Sequence, residues 1–103
     1  MSSMFYKLDE NHKPIPCSAA ELGDSAFRDK SRIVQQDKIG KVRLSTVFLC
    51  IDHSFDSLGN GPPVLWETMI FGGPRDQEQH RYTSHADALA GHLKILAELK
   101  KAR

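Results

Sequence analysis

The chain alternates short apolar segments with polar breaks rich in glycine, proline and Asx residues, and only its last quarter carries an apolar repeat of helical period. Residues 4–8, "MFYKL", read as a short strand, and the "DENHKP" that follows is turn chemistry, because Asp and Asn tolerate turn backbone and Pro14 withholds a donor. An extended piece at residues 14–17 returns beside that strand. Ser18 and Glu21 stand at capping-box spacing, which opens a helix over residues 19–30. Its apolar stripe of Ala19, Leu22 and Ala26 is thin, and Gly23 weakens it by about 1 kcal/mol relative to alanine. "RIVQQDKIGKVRLSTVFLCID" reads as two strands around a turn at residues 38–41, with Gly40 free to take a positive φ. In the second strand Val42, Leu44, Thr46, Phe48 and Cys50 share one face and Arg43, Ser45, Val47, Leu49 and Ile51 the other. That strand ends apolar on both sides, so its second half belongs in the middle of a sheet. A further strand over residues 64–71 is its natural partner, across the long loop "HSFDSLGNGPP".

Arg81 to Thr83 pair briefly with the sheet in this reading, and Ser84 with Asp87 then caps a helix from residue 85 to about 100. Ala86, Leu89, Ala90, Leu93, Leu96 and Ala97 recur at helical spacing and form the stripe expected to lie on the sheet. Ala88, Ile95 and Leu99 sit about half a turn away and are available for a second apolar contact, either with the N-terminal segment or with another subunit in a homo-oligomer through the C-terminal helix. The expected fold class is α+β: a mainly antiparallel sheet of roughly four to five strands packed against the C-terminal helix, with a short helix near residues 19–30. A length of 103 residues makes residues 1–103 a single domain.

Charge narrows the partners. Fourteen Lys and Arg face 13 Asp and Glu, a formal net charge of +1, so the broad basic excess of a dedicated nucleic-acid binder is missing. Cys17 and Cys50 form no CxxC motif, and Cys50 lies in an apolar run where a free thiol acts as a small hydrophobe; both are read as reduced. Residues 1–14 lack a basic region followed by an apolar one, and nowhere do eighteen apolar residues run together. The expectation is a cytoplasmic protein without a membrane partner, in the host cytoplasm if phage-encoded.

Candidate chemistry is sparse. Asp52 and His53 end the central strand, where a carboxylate and an imidazole can supply a base, a metal ligand or a ligand anchor, or can simply close the strand on loop backbone. Neighbours on a strand point to opposite faces, which favours the closing role. Glu67 shares a face with Leu65, Met69 and Phe71, so its carboxylate needs a partner such as Arg43, His53, Arg81 or His92, and a structural ion pair is the favoured outcome. Trp66, Val64 and Ile70 occupy the other face. Among the five histidines, His85 and His92 are separated by about 10.5 Å along a helix axis, too far for one zinc ion. No metal and no cofactor is expected, although His53, Glu67 and a helical histidine could meet. Gly91 costs helix stability and admits close approach of another backbone, which places His92 near the sheet. "FGGP" lacks a phosphate-loop lysine and reads as a strand-ending turn. Arg75, Arg81 and Tyr82 are close enough in sequence to grip a small nucleotide by charge and stacking, against the plainer role of a solvated loop with Tyr82 packed at the helix opening. No serine or cysteine nucleophile stands beside a base, which speaks against covalent catalysis.

"STVFLCIDHSF", "GPPVLWETMIFGG" and "RYTSHADALAGH" together resemble a recurrent family of small phage and prophage proteins without an assigned general activity, over roughly residues 45–92. The resemblance implies ligand-binding roles for the recurrent polar residues Asp52, His53, Glu67, Arg81, Tyr82 and His92. The chain departs from it at Cys50, where glycine is commoner. The leading expectation is a non-enzymatic accessory protein that binds a host protein or a small, nucleotide-like ligand, for instance in counter-defence; nucleic acid is disfavoured by the balanced charge. The alternatives are a small, metal-assisted hydrolase using His53, Glu67 and His92, and a virion structural or assembly protein.

Overall fold

Short-range polar chemistry sets the turns. In the computed structural model of the chain, which describes residues 5–22, 32–52 and 62–102, β1 (Phe5–Leu8) folds back into β2 (Pro14–Cys17). The Asp9 carboxylate nucleates this turn by accepting from the backbone N–H groups of Asn11 and Lys13, each at 2.8 Å. A capping box then opens α1 (Ala19–Leu22): Ser18 Oγ accepts from the Glu21 N–H at 3.2 Å and Glu21 Oε2 accepts from the Ser18 N–H at 3.1 Å. The rest of the helix expected over residues 19–30 lies outside the described residues.

The main sheet is antiparallel, in the order β3 (Ile33–Ile39), β4 (Val42–Phe48), β5 (Trp66–Phe71), β6 (Gln79–Tyr82). Gly40 makes the expected tight turn at φ 60°. Gly72 and Gly73 end β5 at φ 91° and 73°, and a Cβ on Gly72 would come within 2.8 Å of the Lys41 carbonyl oxygen, so glycine lets the two turns abut. Beyond β4, Cys50 takes a left-handed φ of 68°. The bend brings its carbonyl to the Tyr6 N–H at 2.8 Å and pairs Ile51 with Phe5, attaching the β1–β2 hairpin to the sheet. Both cysteines are free. The α+β architecture read from the sequence is therefore the observed one, with a separate two-stranded hairpin beside the four-stranded sheet.

The helix α2 (His85–Lys101) lies across one face of this sheet, capped by Ser84 Oγ accepting from the Asp87 N–H at 3.1 Å. Its buried stripe is Ala88, His92, Ile95 and Leu99. This corrects the expected orientation. Ala86, Ala90 and Ala97 are exposed and Leu93 is 48% exposed, while the Ala88, Ile95 and Leu99 side, set aside for a second contact with the N-terminal segment or another subunit, packs on the sheet, with Ala88 also clustered with Tyr6 of the N-terminal strand. The helix turned this way because His92, counted as polar, sits in the middle of the sheet-facing stripe.

Two apolar clusters flank that histidine. One joins Tyr6, Phe48, Cys50, Leu65, Trp66 and Ala88; the other joins Ile39, Leu44, Ile70, Ile95 and Leu99. At about 1.5–3 kcal/mol for each large aliphatic or aromatic side chain removed from water, these clusters hold the helix to the sheet. Among the described residues, the buried Trp66 Nε1–H finds no acceptor.

The hairpin tip meets α2 through two imidazoles: His12, at φ 62°, stacks on His85 with ring centroids 4.4 Å apart and planes 14° apart. Burial first, and then the charge of His12, hold His85 below its ordinary pKa. A histidine lowered in this way favours the folded state while neutral. Its contribution is complete above about pH 6.5 and is lost as the pH falls through the folded value. The loss of stability measured by urea unfolding between about pH 7.5 and 5 should therefore shrink in His85→Gln; an unchanged loss would show that the stack is not the source. The helix orientation makes a second prediction. Ile95→Ala should cost about 2–5 kcal/mol, and Leu93→Ala should stay within about 0.5 kcal/mol, in urea titrations of the two variants.

Candidate functional site

Polar residues occupy a cross-strand row that apolar ones would ordinarily fill. Strand register aligns Gln35, Thr46, Thr68 and His80 across the sheet on the side facing α2. His92 sits over the middle of this row, fully buried, with Nδ1 at 2.7 Å from Thr46 Oγ1 and Nε2 at 2.7 Å from Asp37 Oδ2. Thr46 Oγ1 lies 2.5 Å from Thr68 Oγ1. A carboxylate only accepts, so the imidazole carries its proton on Nε2; in the neutral ring Nδ1 accepts from Thr46, and Thr46 accepts from Thr68. Asp37 is also held by Gln35 Nε2 at 2.8 Å. That bond first, and the His92 bond second, keep the Asp37 carboxyl below its usual pKa.

Carboxylate, imidazole and hydroxyl in series are the ingredients of an activated nucleophile. Here Thr46, Thr68 and His92 are all 0% exposed, so no substrate reaches the hydroxyl. The chain of bonds fastens α2 to β3, β4 and β5. Asp37, with its side chain 32% exposed, is the end that meets solvent.

The residues singled out from the sequence do not converge. Glu67 pairs with Arg81 in the β5–β6 register and accepts from Arg81 Nε at 3.0 Å. This is the structural ion pair favoured for it, and it lies on the sheet face away from α2, since Thr68 and Trp66 on either side are buried toward the helix. Glu67 and His92 thus occupy opposite faces of the sheet and cannot act on one atom. Asp52 accepts from the Val64 N–H at 2.8 Å, closing the base of the long loop as its plainer reading expected. His53 lies outside the described residues. Tyr82 faces α2, paired with Trp66, and it explains Gly91: a Cβ there would lie 2.3 Å from the Tyr82 hydroxyl. The close approach predicted for Gly91 comes from this ring rather than from backbone.

Tyr82 also opens onto a cleft of about 230 Å³ between β6 and α2, lined by Arg75, His80, Gly91, Lys94 and Glu98, with Ile95 as an apolar wall. Gly91, Lys94, Ile95 and Glu98 fall on one helical stripe because residues three and four apart stack along a helix. Arg75 crosses the cleft end. Its Nε and Nη2 reach Glu78 at 3.0 and 2.5 Å, and its Nη1 reaches Glu98 at 3.1 Å. Glu78 also bonds His80 Nε2 at 2.6 Å. Arg75 first, and His80 second, pull the Glu78 carboxyl down to about 2. The grouping of Arg75, Arg81 and Tyr82 proposed from the sequence is therefore split: Arg75 and Tyr82 share the cleft, and Arg81 is on the far face. His80, Lys94 and Glu98 were missed. Period-two spacing of His80 with Tyr82 on β6 was the available signal.

Among the described residues no group of three His, Cys, Asp or Glu side chains could hold a metal ion, and no helix is long and apolar enough to cross a membrane. No protein family, curated protein or solved structure matches the chain.

The buried relay yields a direct test. Thr46→Val keeps side-chain shape and removes the hydroxyl, leaving His92 Nδ1 and Thr68 without their partner. The variant should lose about 1–3 kcal/mol in urea unfolding; a neutral result would mean that the hydroxyl is dispensable.

Proposed function

We propose that this chain is a non-enzymatic phage or prophage accessory protein that binds a small ligand in the cleft between β6 and α2. The observation that carries this reading is a contrast of access. The carboxylate–imidazole–hydroxyl series is sealed in the core, while an aromatic ring, two cations and a carboxylate line one open concavity. Small-molecule sites have this make-up: some apolar surface and a few placed polar groups.

The phage setting rests on the resemblance of the strand and helix motifs, from which the chain departs at Cys50. In that setting the protein sequesters a small signalling metabolite or occupies a host component, a counter-defence role. The hydrolase reading loses its support because Glu67 and His92 lie on opposite faces. The assembly reading loses its motive because Ile95 and Leu99 are buried against the sheet.

Equilibrium dialysis of the full chain against a bacterial metabolite extract, followed by mass spectrometry, tests the proposal. One small molecule should be enriched with the protein and released unchanged on unfolding. Conversion of a compound in the extract, or no enrichment, would overturn it.

A further inference from the structure

Resting on the cleft-binding reading, we infer that the ligand class is a nucleoside monophosphate, its phosphate held by Lys94 and Arg75 and its base placed on Tyr82. Arg75 spends three of its five N–H groups on Glu78 and Glu98, which leaves two for an incoming oxyanion. The two carboxylates hold the guanidinium in place before any ligand arrives, so little rotamer entropy remains to be lost on binding. Lys94 is exposed and has no ion pair among the described residues. It sits one turn along α2 from Gly91 and offers three further donors.

Charge and size select among phosphates. Arg75 and Lys94 carry two positive charges against the two negative charges of Glu78 and Glu98, so the cleft is close to neutral before His80 is counted. A monophosphate brings at most about two negative charges, which Lys94 and the free Arg75 N–H groups can accept. A di- or triphosphate chain would be driven against Glu78 and Glu98. The volume of about 230 Å³ falls below the ~300–1,000 Å³ of pockets that enclose drug-sized ligands. It accommodates part of one nucleotide and excludes a dinucleotide from full enclosure.

The base has a prepared surface. Tyr82 lines the cleft with its hydroxyl end against the bare backbone at Gly91, and an aromatic ring at the cleft wall gives a base a surface to stack on. Glu98 bonds Arg75 through Oε1, and its carboxylate retains acceptor capacity for the ribose hydroxyls.

Calorimetry and ¹⁵N–¹H shift mapping of the full chain against AMP, GMP, CMP and UMP provide the test, with adenosine, ribose 5-phosphate, inorganic phosphate and ATP as comparison arms. At least one monophosphate should bind about tenfold or more tighter than its nucleoside, than ribose 5-phosphate and than the triphosphate, with shifts at Tyr82, Gly91 and Lys94. Lys94→Gln, an exposed change that leaves the fold intact, should weaken that binding about tenfold, and Lys94→Arg should retain most of it. Equal affinity for nucleoside and monophosphate, or binding indifferent to Lys94, overturns the assignment. If no nucleotide binds while dialysis enriches another molecule whose shifts map to the cleft, the ligand class is wrong and the binding role stands. If both experiments are blank, both fail.

Discussion

A histidine with no access to water governs this structure. Burying an imidazole costs free energy unless both ring nitrogens find partners, and the partners of His92 come from two strands, Asp37 on β3 and Thr46 on β4. Thr68 on β5 extends the series by one more bond. Directional bonds of this kind fix the rotation and the height of α2 over the sheet far more tightly than aliphatic contact, which permits sliding. The helix consequently turns its histidine inward and leaves Leu93 in solvent.

Other features follow from that placement. The polar row divides the core into two apolar clusters, one toward the β1–β2 hairpin and one toward the β3–β4 turn. Once His92 is seated, Gly91 faces Tyr82 at a distance no side chain could tolerate. The next turns of the same helix bring Lys94 and Glu98 alongside His80 and Arg75. The cleft is thus the outer edge of the arrangement whose inner part is the relay, and a ligand there would sit against elements already locked together.

Much of the architecture was legible because it is local. The Ser18–Glu21 capping box, the Ser84 cap, the Gly40 turn, the glycine pair after β5 and the period-two strands each depend on residues a few positions apart, and each forms as expected. The rotation of α2 was legible only in part: Gly91 placed His92 near the sheet, as it is, but apolar periodicity chose the wrong stripe for burial, and Asp37 stands 55 residues from His92 in the chain. Thr46 was likewise placed on a strand face with Leu44 and Phe48 without any signal that it would bond a helical histidine there. For the candidate site, the aromatic and one arginine were identified from sequence proximity. The choice between Arg75 and Arg81 turned on which face of β6 and its preceding loop each one occupies, and only the folded sheet decides that.

The central claim is that His92 is held as a buried, doubly bonded imidazole. Long-range ¹H–¹⁵N spectroscopy of the histidine rings addresses it directly in the intact chain at neutral pH. The account predicts a single His92 tautomer with its proton on Nε2, observed as a slowly exchanging resonance that survives in water. A rapidly exchanging ring proton, or the mixed tautomers of a solvated imidazole, would contradict it.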